Sequence, residues 1–365
     1  MEIITPHPQL IKTLELISRI STKHVTLPVL QCAVITATEG KIFIKATNLE
    51  LSIEVLIKGQ VIEEGTIAVP MTTFLQSVQY INQPEITLKD EEGVLLIESK
   101  QTKTSIKSIP FEEFPNIYHL EGEGIKINRS LFALGIKTTA FSASQSSIKP
   151  ELGSVYVQQK KEHSLTFVST DSFRLMEKLV SQKGVVLDHS FLVPQKNAIE
   201  LARICDLLES DPVLLVNDNQ CALDFTSEGV YVTSRLVSGS FPDYEQIIPK
   251  EYVTHVTVLK NDLLSAFKKT SVFLNKFQQV SLTLSDNSIV VSSQNSEVGH
   301  ITDTVRAVIE GEELSLNFNQ QYLIEPLSHI TDDSVILHFA GIGRPLVING
   351  VSDNTVRYLV MPMNR

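Results

Sequence analysis

The sequence predicts an α+β protein of three similar domains, each made of two β-rich half-repeats that carry one helix apiece. Three observations lead there. The chain has 365 residues, more than one hydrophobic core ordinarily supports, so two or three domains are expected. A strand, a polar or proline-marked break and an apolar stripe at helical spacing recur about every sixty residues. Between the recurrences, short alternating or β-branched runs are closed by turn-forming pairs, the pattern of strands.

The first copy is Ile3-Ile4-Thr5 followed by Leu10, Ile11, Leu14 and Ile17. Next come Ile67-Ala68-Val69-Pro70 with Phe74, Leu75, Val78 and Ile81, then Ile125-Lys126-Ile127 with Leu131, Leu134 and Thr138. The fourth is Phe191-Leu192-Val193-Pro194 with Ile199, Ala202, Cys205 and Leu208. Val256-Thr257-Val258 precedes Leu263, Leu264, Phe267 and Val272, and Leu314-Ser315-Leu316 precedes Tyr322, Leu323, Leu327 and Ile330. The starts fall at 3, 67, 125, 191, 256 and 314, in steps of 64, 58, 66, 65 and 58. Each stripe marks an amphipathic helix of about three turns. Pro70 and Pro194 are expected in a first helical turn, where no donor is lost. Pro326 falls inside the sixth stripe and is expected to kink or shorten that helix.

Strands are read at Ile42–Ala46, Ser52–Ile57, Val94–Ile97, Leu165–Val168, Val230–Val232 and Val280–Leu284. Glu39-Gly40, Glu92-Gly93, Glu228-Gly229 and Asp286-Asn287 supply turns. Each half-unit is thus one helix plus about four strands, and boundaries near Glu123-Gly124 and Tyr252-Val253 give domains 1–124, 125–252 and 253–365.

Composition narrows the class. At 42% hydrophobic and 20% charged residues the chain is neither disordered nor collagen-like, and no run approaches the ~20 apolar residues of a membrane span. The start, MEIITPHPQL, shows no basic region followed by an apolar one, so no signal peptide is expected. Cys32, Cys205 and Cys221 are odd in number and scattered, which suggests reduced thiols in a cytoplasm. No phosphate loop, zinc-protease motif, nucleophile elbow, CxxC or dinucleotide fingerprint is present, so no enzyme, metal or cofactor is expected. Asp171 near Arg174 reads as a structural ion pair or a capping aspartate. The net charge of −11 taken whole speaks against nucleic acid, yet its distribution does not. The helix windows 8–23, 71–82, 129–141, 195–208, 261–276 and 319–330 together carry +5, leaving −16 elsewhere.

Particular residues then become specific. Gly239-Ser240-Phe241-Pro242-Asp243-Tyr244, ending at Ile248-Pro249, resembles the FPDY…P signature of the bacterial DNA polymerase III beta subunit family, the sliding clamps. Tyr358-Leu359-Val360-Met361-Pro362-Met363 resembles that family's YxVMPM tail. Thr170-Asp171-Ser172-Phe173-Arg174-Leu175 is similar to its TDGHRL segment, Thr26-Leu27-Pro28-Val29-Leu30 to its TLPIL, and Phe114-Pro115-Asn116 to its FPN. These motifs lie in register along essentially the whole chain.

The resemblance implies a DNA-clamp ring of two chains, with helices lining the bore and sheets outside. It implies no chemistry: the homodimer encircles duplex DNA without reading sequence and tethers replicative and repair polymerases. Partners would be the polymerase III alpha subunit, the clamp loader and other proteins with short clamp-binding peptides. Geometry agrees with two chains. A duplex roughly 20 Å wide with a water layer needs helix axes on a circle about 36 Å across, which takes about eleven or twelve helices at ~10 Å each. The other reading is a repeat-built protein-interaction adaptor that does not encircle DNA.

By motif position, the resemblance implies a partner-peptide pocket of Leu152, Thr170, Arg174, Leu175, Pro242 and Ile247, joined by Phe277, Asn319, Tyr322, Pro345, Val360, Met361, Pro362 and Met363. Apolar walls there would bury a peptide's anchors, methionines would re-pack around different partners, and Arg174 and Asn319 would meet its polar groups. DNA-facing residues would be Lys12, Arg19, Lys23, His24, Arg129, Lys137, Lys149, Lys196, Arg203, Lys268 and Lys269. The dimer interface would set Thr104 and Ile106 of an edge strand against Val272 and Phe273. Ser172 and Phe173 replace the family's usual Gly and His or Tyr, which is expected to reshape that turn. Gln246 and Gln278 stand where arginine is frequent.

Overall fold

The computed structural model describes residues 1–21 and 26–363. The chain divides into two compact units, Met1–Ala133 with Glu200–Leu236, and Leu134–Ile199 with Val237–Arg365. Six helices follow the six apolar stripes: α1 (His7–Ile17), α2 (Met71–Val78), α3 (Arg129–Thr139), α4 (Gln195–Leu207), α5 (Lys260–Thr270) and α6 (Gln320–Ile324).

The first unit holds two sheets. One runs, in spatial order, Gln60–Glu63, Glu2–Pro6, Glu85–Glu91, Val94–Glu98 and Lys103–Lys107. The other runs Ile125–Lys126, Val213–Val216, Gln220–Phe225, Val230–Arg235, Leu51–Ile57, Lys41–Thr47, Cys32–Thr38 and Gly65–Pro70. The second unit holds one sheet of twelve strands: Phe191–Pro194, Ser154–Gln158, Ser164–Thr170, Arg174–Ser181, Val356–Val360, Leu346–Gly350, Ser334–Phe339, Thr254–Leu259, Gly299–Gly311, Ser288–Asn295, Gln279–Ser285 and Ser315–Asn319. The pairings are antiparallel.

A rule underlies these orders. The strand that leads into a helix never pairs with the first strand that follows that helix, although Glu2–Pro6 also pairs with Gln60–Glu63 and Thr254–Leu259 with Gly299–Gly311 later in their own half-units. Each leading strand joins the meander of the neighbouring half-unit. Glu2–Pro6 pairs with Glu85–Glu91, beyond α2, while Gly65–Pro70 pairs with Cys32–Thr38, beyond α1. The same exchange recurs between Ile125–Lys126 and Val213–Val216, Phe191–Pro194 and Ser154–Gln158, Thr254–Leu259 and Ser334–Phe339, and Ser315–Asn319 and Gln279–Ser285. Two half-units therefore interlock through their leading strands.

The strands pass straight into the helices. Pro6 and Pro70 are the last strand residues and the N-caps of α1 and α2, and neither gives a side-chain cap. Pro70 and Pro194 thus sit one residue before the first turn rather than within it. Their helices' orphan amides are satisfied from elsewhere. His7 N donates to Pro84 O at 2.9 Å, Gln195 N to Gly153 O at 2.9 Å, Lys260 N to Asp333 O at 2.9 Å and Gln320 N to Gln278 O at 2.8 Å. Arg129 N donates to Asp211 Oδ1 at 3.0 Å. Side-chain caps are given by Asn128, whose Oδ1 accepts from Leu131 N at 2.9 Å before α3, and by Asn319, which accepts from Gln321 N before α6. The sixth helix ends after Ile324, and Pro326 lies in the 3-10 turn Glu325–His329 that continues it, as the sequence predicts.

Most stripe positions are buried, with corrections. Leu134 and Ile199 are 44% and 48% exposed, and the face of α3 that packs carries Phe132, Ala133 and Ile136 instead. Val272 lies beyond α5 and is 66% exposed. Three of the expected turns place two successive residues in the left-handed region: Glu39-Gly40, Glu92-Gly93 and Asp286-Asn287. This is the type I′ geometry whose twist suits a tight hairpin. Cys32, Cys205 and Cys221 are buried and unbridged, and burial pushes the thiols of Cys32 and Cys221 up to about 12. Among the described residues no helix is long and apolar enough to cross a membrane.

Candidate functional site

The predicted pocket residues all belong to the second unit, where the sheet sorts them by face. Directly opposed residues of antiparallel neighbours share a face. Thr170 opposes Leu175, Leu175 opposes Leu359, and Leu359 opposes Val347. Leu175, Leu359 and Val347 join Val168 and Tyr244 in a small apolar cluster, edged by Tyr156, Phe241, Ile248, Tyr252 and Met361. The opposite face of the same strands carries Met176, Tyr358 and Val360, which pack in the main core with Leu263 and Phe267 of α5. Val360 is fully buried there. Leu175 and Leu359, equally buried, face the other cluster.

Leu359, which motif position does not name, belongs to this cluster. The tail Tyr358-Leu359-Val360-Met361 alternates, so 359 and 361 share a face, and period two alone would have found it.

The FPDY segment forms a roof at the edge of this cluster. Phe241 stacks on Tyr156, ring centres 4.7 Å apart and nearly parallel. Tyr244, in the 3-10 turn Tyr244–Ile247, donates its hydroxyl to Glu177 Oε2 at 2.6 Å and accepts from Gln158 Nε2 at 3.1 Å. Burial and the neighbouring Glu177 charge raise the phenol far above its ordinary range, so it is a permanent donor. Burial alone would raise the Glu177 carboxyl. Its hydrogen bonds from Lys160, at 2.7 Å, and from Tyr244 outweigh that and hold it below the usual carboxylate range. Gln246 Nε2 donates to Asp243 Oδ2 at 2.7 Å, which gives this departure from the family pattern a local role. With the roof so anchored, Pro242 and Ile247 are left exposed at its rim.

The tail crosses the other side. Met361 N donates to Phe173 O at 2.8 Å, and Met363 N donates to Asn317 O at 2.7 Å. Met361, Pro362 and Met363 are half-buried along this path. Phe277 is 57% exposed, Pro345 is half-buried beside Leu346, and Leu152 is buried with its amide on Lys149 O. Asn319 spends its side-chain oxygen on the α6 cap.

Arg174 is a brace. Its Nε bonds Asp171 Oδ2 at 3.0 Å, one terminal nitrogen pairs with Glu325, and the other donates to Phe141 O at 3.0 Å. The guanidinium lies 4.2 Å from the Tyr322 ring centre and 5.5 Å from that of Phe141. In this structure its donors are engaged by Asp171, Glu325 and Phe141, so it braces this wall. Asp171 is both the ion-pair partner and the cap expected of it: Oδ1 accepts from Phe173 N at 2.9 Å and Arg174 N at 3.0 Å. Ser172 takes φ 79, the left-handed conformation that glycine favours, so the substitution leaves the turn in that conformation. Phe173 is 62% exposed at the rim.

The basic residues divide likewise. Lys12, Arg19, Lys137, Lys149, Lys196 and Lys268 are exposed. Arg129 donates to Cys205 O and Glu209 O, both at 3.0 Å, closing the end of α4. Arg203 pairs with Glu200 and donates to Leu16 O at 2.7 Å, in the last turn of α1. Lys269 pairs with Asp303 at 2.8 Å. These three serve structure first. Lys23 and His24 lie outside the described residues. Lys103–Lys107 is the edge strand of its sheet, as expected, but Ile106 is 5% exposed, turned into its own unit, while Thr104 and Phe273 are half-buried.

Six half-units, paired through their leading strands, with a second apolar cluster on the sheet face opposite α5, define a protein built from repeats. The chain belongs to the DNA polymerase III beta subunit family: the profiles of that family's N-terminal, central and C-terminal domains match residues 1–118, 126–243 and 245–364. It is 24% identical over 368 residues to the beta sliding clamp of Vibrio cholerae, covering all of both chains, and 25% identical over 378 residues to that of Rickettsia felis, covering 100% and 99%. Among solved structures it is similar to the DNA polymerase III beta subunit of Thermotoga maritima, with TM-score 0.93, 24% identity and coverage of 100% and 99%. It is also similar to a Pseudomonas aeruginosa sliding clamp bound to griselimycin, with TM-score 0.90, 24% identity and full coverage of both. The function is that of the family, a DNA sliding clamp: a processivity factor with no catalytic activity of its own.

Proposed function

We propose that two copies of this chain close head to tail into a ring around duplex DNA, and that the groove seats short peptides of replicative and repair polymerases and of the clamp loader. Six helices per chain carry the reading of two copies, since they are half of what a duplex-sized bore requires. Heterologous contacts of this kind produce closed rings when the rotation closes. Three domains, 1–124, 125–252 and 253–365, would each contribute two helices, and the edge strand with Thr104 would meet the segment of Val272 and Phe273. Exposed Lys12, Arg19, Lys149, Lys196 and Lys268 supply long-range attraction to phosphate, while the acidic remainder discourages binding outside. Enclosure, not contact, would keep the ring on DNA. Work on chromosomal DNA places such a protein in the cytoplasm.

The cluster of Leu175, Leu359 and Val347 supports the peptide reading, because it underlies a rim of half-buried Met361 and exposed Pro242 and Ile247 that offers apolar surface. Each apolar anchor buried there is worth about 1.5–3 kcal/mol. Size measurement at micromolar concentration should give a dimer of about 81 kDa, twice the 40.6 kDa chain. Deleting Met361 through Arg365 should abolish binding of a labelled polymerase alpha-subunit peptide and leave the dimer intact. A monomer at that concentration overturns the ring, and loss of the dimer in the deletion variant overturns the groove assignment.

A further inference from the structure

On the sheet face that carries the groove, His255 and His338 stand directly opposite each other on the neighbouring strands Thr254–Leu259 and Ser334–Phe339. Their Nδ1 atoms are 2.7 Å apart, and the rings are nearly perpendicular, 84° between planes, so the contact is nitrogen to nitrogen. Both residues are half-buried. Two neutral imidazoles can share a proton at this distance, one donating and one accepting, but two imidazolium rings cannot. Moving the shared proton to the donor ring's Nε2 would leave both Nδ1 lone pairs for a metal ion, the state metal binding requires.

The spacing selects among metals. Two ligands at ~2.0 Å and a right angle about the ion are ~2.8 Å apart, while a tetrahedral ion sets them ~3.3 Å apart. The observed 2.7 Å is close to the square-planar bite. Glu310 opposes His255 from the other side, on Gly299–Gly311, and is exposed. Tyr252 packs on both rings, 5.7 Å from His255 and 5.1 Å from His338 between centres. Among the described residues no three His, Cys, Asp or Glu side chains converge, so water, or Glu310 after a change of rotamer, would fill the remaining positions.

We propose that His255 and His338 form a two-nitrogen site for a divalent transition metal, taking Cu2+ ahead of Ni2+ and Zn2+. The row carrying the pair continues from His338 through Val347 and Leu359 to Leu175, and Tyr252 touches both the pair and the groove cluster. The site is thus contiguous with the groove but does not depend on the groove's function.

The test titrates the full-length protein with Cu2+ alone. The other seven of the nine histidines remain in a His255→Ala/His338→Ala double variant, so wild type should hold one additional ion. Either single replacement should weaken that ion by about tenfold or more, and its electron paramagnetic spectrum should show two imidazole nitrogens. A measurement on unaltered protein guards against misfolded variants: with the histidine rings labelled with 15N, substoichiometric Cu2+ should broaden the signals of His255 and His338 first. Equal stoichiometry and affinity in wild type and double variant, or earlier broadening of other histidines, would overturn the site.

Discussion

Replacing Tyr244 by Phe removes one oxygen from the roof of the groove and nothing else. The lost hydroxyl donates to Glu177 at 2.6 Å and accepts from Gln158 at 3.1 Å. The ring remains and keeps its edge-on contact with Phe241 at 6.0 Å. A hydrogen bond to a charged acceptor contributes ~1.5–3 kcal/mol. Glu177 retains Lys160 at 2.7 Å, so the lower part of that range applies, about 1.5–2 kcal/mol. Opening of the roof should then become roughly ten to thirty times more frequent. With no tryptophan in the chain, amide hydrogen exchange is the suitable assay, because it reads residues 241–248 directly. Faster exchange should be confined to that segment and its neighbours on Arg174–Ser181. The effect also has a pH signature. Glu177 is depressed in the folded protein, so its contribution is present above its unfolded value near ~4.3 and is lost as pH falls through the folded value. Roof opening in wild type and Tyr244→Phe should therefore converge as pH falls through the folded value of Glu177, below its unfolded one. Exchange in the variant unchanged at pH 7 would refute the role given to the hydroxyl.

Two further outcomes follow from backbone and packing. Ser172→Gly should stabilise by about 0.5–1 kcal/mol, measured by urea denaturation followed by circular dichroism, because it relieves a left-handed serine at φ 79 and loses only part of that to chain entropy. Gly135→Ala should destabilise by at least ~2 kcal/mol in the same assay, since a β-carbon there would stand 2.2 Å from the Phe167 ring; wild-type stability would show that α3 does not pack so closely on that strand.

The repeat was legible because burial imposes a period: apolar residues at helical spacing after each short strand can be read without partners. Helix starts were less so, since Pro6 and Pro70 give no side-chain cap and the first amides bond distant carbonyls such as those of Pro84 and Asp333. Only tertiary structure supplies those acceptors. The exchange of leading strands between half-units is likewise invisible in one strand's sequence, because either meander offers the same backbone groups. FPDY and the methionine tail border the second apolar cluster. Motif position says nothing of which face each residue takes: Leu359 faces that cluster and Val360 the main core. Arg174 is expected at a partner surface by motif position, and Arg203 at a DNA surface as a basic residue on a helix. Their hydrogen bonds to Phe141 O and Leu16 O come from parts of the chain far away in sequence, which is why a sequence cannot tell a bracing arginine from a free one.

Enclosure of DNA is tested most directly by topology. The protein is placed by its clamp loader on a nicked circular plasmid, separated from free protein by gel filtration, and the plasmid is then cut once with a restriction enzyme. A closed ring remains on the circle and is lost from the linear product, and it does both at a salt concentration that suppresses ordinary phosphate contacts. Equal retention on circle and linear DNA, or loss from both, would contradict a ring around the duplex.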